Sequence, residues 1–293
     1  EDNFDQHVEA LRELEVIFST WGMLKLTEQQ LELLPNLKAV FYAAGSVKGF
    51  AYPLLNRGIT VVSAWGANAV PVAEFTLAQI LLSNKGYFRN MFACSSHETR
   101  NQAYRGPGNF GEIVAILGAG MVGRTLIKLL DAFDLKVIVW DPFLSQKEAI
   151  KLGVEKVSSL DEAFQRGFVV TNHLANVPAT RGLLNGKLFS QMRQNATFIN
   201  TGRGATVVED ELIDVFRKRN DLTALLDVTY PEPPLPDSPL YELPNVHFSS
   251  HIAGSIGNEV IRMADYMIEE FQAWEQSKPL RYAVTLEMLS NMA

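Results

Sequence analysis

Cysteine occurs once in the 293 residues, as Cys94. One thiol excludes an internal disulfide framework and a Cys-rich metal centre. No apolar run approaches the roughly 18–20 residues of a membrane span, and the best apolar stretches are short and broken by charge. A basic surplus is also missing: 26 Lys and Arg stand against 33 Asp and Glu, a net charge of −7 that argues against a general nucleic-acid binder. The start shows no basic-then-apolar stretch of the kind that directs secretion. No repeat of solenoid period is found. Hydrophobic residues make up 47% and charged residues 20%, which is the balance of a folded globular chain, with the cytoplasm as the default expectation. The sequence opens Glu1-Asp2-Asn3-Phe4 without an initiator Met, so it is read as processed or as a fragment.

What is present is alternation. A single core stops growing at about 250–300 residues, so this length favours two domains. Apolar runs of five or six residues alternate with helical segments, the pattern of a parallel α/β sheet. In the first stretch, strands are expected at Val16–Ser19, Ala39–Tyr42 and 60–62, with helices from Thr27, near 47–57 and over 72–82. Thr27 with Gln30 fits a capping box. Residues 95–111 are polar and Gly-rich and read as a connector or arm. Further strands are expected at 112–117, 136–140, 168–172, 196–200, 223–228 and 246–250, with helices between most of them. Ser159 with Glu162 suggests a second capping box, 209–219 a helix, and 256–276 a long amphipathic last helix. The Pro-rich segment 231–239 fits neither helix nor central strand, because Pro lacks the N–H donor. The second region is doubly wound by pattern alone.

Gly118-Ala119-Gly120-Met121-Val122-Gly123 is a GxGxxG placed between an apolar strand and a helix. Gly118 permits a tight turn, Gly120 a close backbone approach to a pyrophosphate, and Gly123 the packing of helix on strand. Met121 and Val122, inside the turn, are counted with the glycines among the cofactor-binding residues, although Met121 also reads as a packing residue. The helix N-terminus offers N–H donors to phosphates. Asp141 ends the next strand, where a carboxylate accepts both adenosine ribose hydroxyls and repels a 2′-phosphate, favouring NAD over NADP. Asp141 also precedes Pro142, which leaves a second reading as a turn cap.

Ligands of open α/β sheets sit beyond the carboxyl ends of the strands. Three neighbouring strand ends carry Arg203, the Asp227–Glu232 segment and His251. That trio suits hydride transfer to a 2-keto acid. A guanidinium binds the carboxylate bidentately. A histidine supplies the proton that the developing alkoxide needs near neutral pH. Glu232 would hydrogen-bond the imidazolium and fix its orientation. Taken alone, His251 also fits a structural histidine and Glu232 a surface residue.

These motifs together resemble the D-isomer-specific 2-hydroxyacid dehydrogenases over nearly the whole chain, from about Pro35 to the last helix. The carriers are Gly118–Gly123 with Asp141, the segments 173–184 and 198–212, then Asp227, Pro231-Glu232-Pro233 and His251-Ile252-Ala253-Gly254. The resemblance implies that Arg203 binds substrate and polarises its carbonyl, and that Glu232 and His251 form the acid–base pair. It implies that backbone amides of the loop with Ala44 and Gly45 bind the substrate carboxylate. Thr201 and Asp227 would border the nicotinamide. It further implies a homodimer acting on a small 2-keto or 2-hydroxy acid, with no nucleic acid, membrane or metal as partner. Glyoxylate and hydroxypyruvate are the expected keto acids. Trp21, near the implied substrate pocket, would narrow it or stack on substrate, or else pack at a domain edge. Lys48 stands where many members carry Asp or Asn, and Ala175 where proline is frequent. Cys94, His7, His97, His173 and His247 are given no chemical role, and Trp65 and Asn68 are placed at the hinge.

The implied architecture is a doubly wound Rossmann domain, 71–255, inserted in a smaller flavodoxin-like α/β domain, 1–70 plus 256–293. The smaller domain is expected to lack about 30 residues at its N-terminal side, the size of one βαβ unit. An NAD(H)-binding regulator of corepressor type on the same fold is the alternative function. Formate oxidation is disfavoured, because there the histidine's partner is normally glutamine rather than a residue like Glu232.

Overall fold

The computed structural model describes residues 4–291. They divide into two compact units, Val70–Gly254 and a smaller one drawn from both sides of it, 4–69 and 255–291.

The smaller unit opens with α1 (Val8–Leu11), β1 (Val16–Ser19), α2 (Glu28–Glu32), β2 (Ala39–Tyr42), α3 (Ala51–Asn56) and β3 (Thr60–Ser63). Its three strands are parallel, in the order β1-β2-β3. The central strand β2 is buried on both faces, which is why it reads as an unbroken apolar run. Leu31, Leu34 and Leu54 cover one face. The start of α2 is fixed by the expected capping box: Thr27 Oγ1 accepts from Gln30 N at 3.2 Å, and Gln30 Oε1 accepts from Thr27 N at 3.0 Å.

The chain continues into α4 (Trp65–Asn84), whose residues from Val70 onward belong to the larger unit, then α5 (Tyr87–Ala93). There follow β4 (Ile113–Leu117), α6 (Met121–Leu130), β5 (Lys136–Trp140), α7 (Gln146–Lys151), β6 (Glu155–Lys156), α8 (Leu160–Arg166) and β7 (Val169–Asn172). The unit closes with α9 (Gly186–Ser190), β8 (Thr197–Asn200), α10 (Glu209–Lys218), β9 (Thr223–Leu226) and β10 (Val246–Phe248). All seven strands pair in parallel in the order β10-β9-β8-β7-β4-β5-β6. From β4 the chain winds outward to β6, then returns to β7 on the other side of β4. The direction therefore reverses between β4 and β7, and ligands of such sheets bind beyond the strand ends at that reversal. Both faces are dry. One holds Phe164, Phe189, Phe198 and Phe216, with the Phe189 and Phe198 rings 5.0 Å apart. The other holds Ile116, Leu126, Leu130 and Ile199. Each such side chain contributes about 1.5–3 kcal/mol by leaving water.

The smaller unit resumes with α11 (Glu259–Glu275) and α12 (Leu286–Asn291). Met263 and Met267 of α11 pack with Phe41 of β2. Val284 N donates to Val61 O at 2.8 Å, and Val62 bridges antiparallel to Ala283.

The departures from the sequence reading have physical causes. Helix α4 begins at Trp65 rather than 72, because Pro71 lies inside it instead of marking its start. Ser159 caps α8 through Glu162 N at 3.1 Å, but the Glu162 carboxylate turns to Ser158, so that capping box is half made. The two-residue strand β6 and the short helices α5, α9 and α12 escaped prediction, being too brief to show a period.

Candidate active site

The reversal point is built from close backbone contacts. Gly118 has φ +95°, and a Cβ there would lie 3.1 Å from His173 O at the end of β7. A Cβ on Gly123 would fall 2.1 Å from Gly118 O, so any side chain would push α6 off β4. Gly120 is different: a Cβ there would meet no atom within 4 Å. Protein packing therefore demands glycine at 118 and 123 but not at 120, where the open space suits an approaching pyrophosphate. No side chain caps the N-terminus of α6, so its first N–H groups remain for a ligand. These residues fit a dinucleotide. Met121 is exposed and Val122 half-buried, so Met121 does not pack as expected.

Asp141 serves the turn itself. Its Oδ2 accepts from Ala119 N at 2.7 Å, and its Oδ1 from Phe143 N at 2.7 Å and Leu144 N at 3.2 Å. A carboxylate offers about four acceptor positions, so Asp141 retains one, on Oδ2. The turn-cap reading is realised, and the carboxylate ties the end of β5 to the glycine turn.

Arg203, Glu232 and His251 follow β8, β9 and β10, which are adjacent in the sheet. Glu232 Oε1 lies 2.6 Å from His251 Nδ1, with both side chains open to solvent. Arg203 is partly buried and its Nη1 donates to Gly202 O at 2.7 Å. Burial lowers the guanidinium pKa, while the nearby Glu232 charge raises it. A Cβ on Gly204 would meet Thr229 backbone at 2.0 Å, so the Arg203 loop packs tightly on the segment that leads to Glu232. Asp227, Thr229, Tyr241 and Phe248 line, with Glu232 and His251, a cavity of about 720 Å³.

Asp227 is buried, and its carboxylate organises the histidine loop. Oδ1 accepts from Ser249 Oγ at 2.6 Å and Ile252 N at 2.9 Å, and Oδ2 from Ala253 N at 3.0 Å. Asp227 O accepts from His251 N at 3.1 Å. Three of its acceptor positions are thus engaged by the protein, and one remains on Oδ2. His251 itself has φ +58°, the left-handed region that side chains avoid.

Thr201 Oγ1 is 3.0 Å from Thr76 Oγ1 and 3.4 Å from His173 Nδ1, while His173 Nε2 is 3.0 Å from Thr171 Oγ1. Burial lowers the His173 pKa to about 3 and keeps it neutral at physiological pH. In the smaller unit, Ala44 is fully buried and its N–H donates to Tyr42 O at 2.8 Å. That amide is thus closed to a ligand, which leaves Gly45. Ser63 Oγ donates to the carbonyls of both Ala44 and Gly45 and fixes the loop. Trp21 is exposed rather than packed. Among the described residues no group of three or more His, Cys, Asp and Glu is placed to hold a metal, and no helix is long and apolar enough to cross a membrane.

The family model for the D-isomer specific 2-hydroxyacid dehydrogenase NAD binding domain matches residues 77–253, more than half of the chain. The chain belongs to this NAD-binding family. It is 28% identical to the D-3-phosphoglycerate dehydrogenase of Archaeoglobus fulgidus, over 89% of this chain and 50% of that one. Against the enzyme of that name from Mycobacterium leprae it is 31% identical, over 68% of this chain and 37% of the other. The chain spans about half the length of the first curated relatives it matches. The apo D-mandelate dehydrogenase of Rhodotorula graminis superposes with a TM-score of 0.82 at 22% identity, over 96% of this chain and 88% of that one. That likeness shows the fold.

Proposed function

We propose that this chain interconverts a 2-keto acid and its D-2-hydroxy acid with NAD(H). The observation that carries the reading is the 2.6 Å pair of Glu232 and His251 beside Arg203, at three adjacent strand ends. The turn Gly118–Gly123, the first N–H groups of α6 and the remaining acceptor of Asp141 would hold the cofactor. NAD(H), when bound, supplies or accepts the hydride.

The residues divide the remaining work. Arg203 pairs with the substrate carboxylate and draws electron density toward the carbonyl oxygen. Glu232 occupies Nδ1 of His251, so Nε2 is the nitrogen that faces the substrate. In reduction Nε2 gives its proton to the oxygen as it becomes an alkoxide; in oxidation it takes that proton back. Glu232 stabilises the imidazolium in both directions. The smaller unit would contribute Gly45 and Trp21 to the substrate. Exposed Tyr87, Met91, Phe92 and Phe110 support a homodimer through α5 and the following connector, testable by light scattering.

Substrates to assay are glyoxylate, hydroxypyruvate and, from the relatives named D-3-phosphoglycerate dehydrogenase, 3-phosphohydroxypyruvate. NADH oxidation with at least one of these is expected, with Arg203→Ala and His251→Ala each losing at least about 100-fold, the usual scale of general acid–base and charge-stabilising groups. Tight NADH binding without turnover of any 2-keto acid would defeat the proposal in favour of a regulator.

A further inference from the structure

A polar cluster lies buried beneath the Arg203 loop. Asn172 at the end of β7, Asn200 at the end of β8 and Thr206 after the loop are 1% exposed or less. Asn172 Nδ2 donates to Asn200 Oδ1 and to Thr206 Oγ1, each at 2.9 Å. Asn200 Oδ1 also accepts from Gly202 N at 3.2 Å. Two bonds then converge on one atom: Thr206 Oγ1 donates to Arg203 O at 2.7 Å, and Asn200 Nδ2 donates to it at 3.3 Å. Asn172 Oδ1 accepts from Leu174 N at 3.2 Å. Every side-chain polar atom of the three residues therefore has a partner. Gly202 completes the seat, since a Cβ there would press on Asn172 O at 2.9 Å.

A buried network of this kind is expensive unless complete, because each missing partner leaves a desolvated polar atom. Aliphatic residues would fill the same volume without that risk. Two of the network's bonds end on the backbone carbonyl of Arg203, whose guanidinium makes no ion pair among the described residues. We propose that Asn172, Asn200 and Thr206 are positioning residues, which hold the Arg203 backbone so that its guanidinium is presented ready-placed to a substrate carboxylate. The kinetic side of this inference rests on the function proposed above for Arg203.

Thr206→Val removes the Oγ1 donor with little change of shape, and Thr206→Ser restores it. With NADH saturating, Thr206→Val is expected to lower kcat/KM for the keto acid about tenfold, mostly through KM, while the NADH dissociation constant stays within about twofold; Thr206→Ser should recover most of the loss. A folded Thr206→Val with unchanged kcat/KM overturns the proposal, as does an equal loss in NADH affinity. Should Thr206→Val not fold, Thr206→Ala also removes the Oγ1 donor, leaves space in place of the extra methyl, and is expected to show the same split. If the unaltered protein turns over no keto acid, the functional reading fails, and the positioning claim is then decided by NMR of the Arg203 Nε–H signal. That signal should broaden or shift in Thr206→Val and return in Thr206→Ser; no change overturns it.

Discussion

His251 occupies a backbone conformation that costs about 1–3 kcal/mol for a residue with a side chain, and Asp227 is the group that holds it there. Asp227→Asn keeps the shape but replaces one acceptor oxygen with an NH2, facing either Ala253 N or the Ser249–Ile252 pair. We expect a lower melting temperature, from about 1–3 kcal/mol of unsatisfied hydrogen bonding, and a kcat reduced at least about tenfold as His251 relaxes. Thermal melts with steady-state kinetics check both; an unchanged kcat would remove Asp227 from the positioning of His251. Gly123→Ala is expected to be worse for binding. Its methyl would collide with Gly118 O, so the turn must open, at about 1–3 kcal/mol as for overpacked sites, with NADH affinity lost in a fluorescence titration. The sequence disclosed Arg203, Glu232 and His251 because residue type and strand-end position carry that information. It did not disclose what Asp227, Asn172, Asn200 and Thr206 do. The bonds that join Asn172 to Asn200 and Thr206, and Asp227 to the histidine loop, run between segments about 20–35 residues apart, and no local pattern records them.

Elements were legible where a signal is local and long. The central strands showed as apolar runs because a parallel sheet is covered on both faces, and α2 showed through its cap. Thr27→Ala should therefore cost about 1 kcal/mol in the smaller unit, read as a shift in its denaturation midpoint; no shift would mean that packing of Leu31 alone fixes the helix. Boundaries were less legible where tertiary packing overrules propensity. Pro71 within α4 is the clearest case: a residue that usually opens a helix is carried inside one of 20 residues. The brief strand β6 exists because β5 offers it an edge, which a two-residue sequence cannot announce.

At the scale of the molecule, one half-buried histidine shapes acid stability. The His173 pKa falls from its ordinary 6.5 to about 3 by burial. Between these values the unfolded chain binds a proton that the folded one does not, so stability falls as pH falls through that window, by up to about 1.4 kcal/mol per unit. His173→Gln should flatten this slope, measured as denaturant midpoints at pH 7 and pH 5; parallel pH curves for the two proteins would contradict it. At pH 7 the histidine is neutral, so it adds no step to a rate profile between pH 5 and 8.

The bridge between Val62 and Ala283 also bears on the order of assembly. Closing a flexible loop of about 220 residues costs about 5 kcal/mol in chain entropy. If 70–254 has already collapsed, the two strands of chain leaving it are tethered, and most of that entropy has been removed in advance. Assembly should then run from the middle outward, with the larger unit reaching its native form first and the two chain ends joining afterwards. On a ribosome this delays completion of the smaller unit until Tyr282 and Ala283 have emerged, however early its first three strands were made.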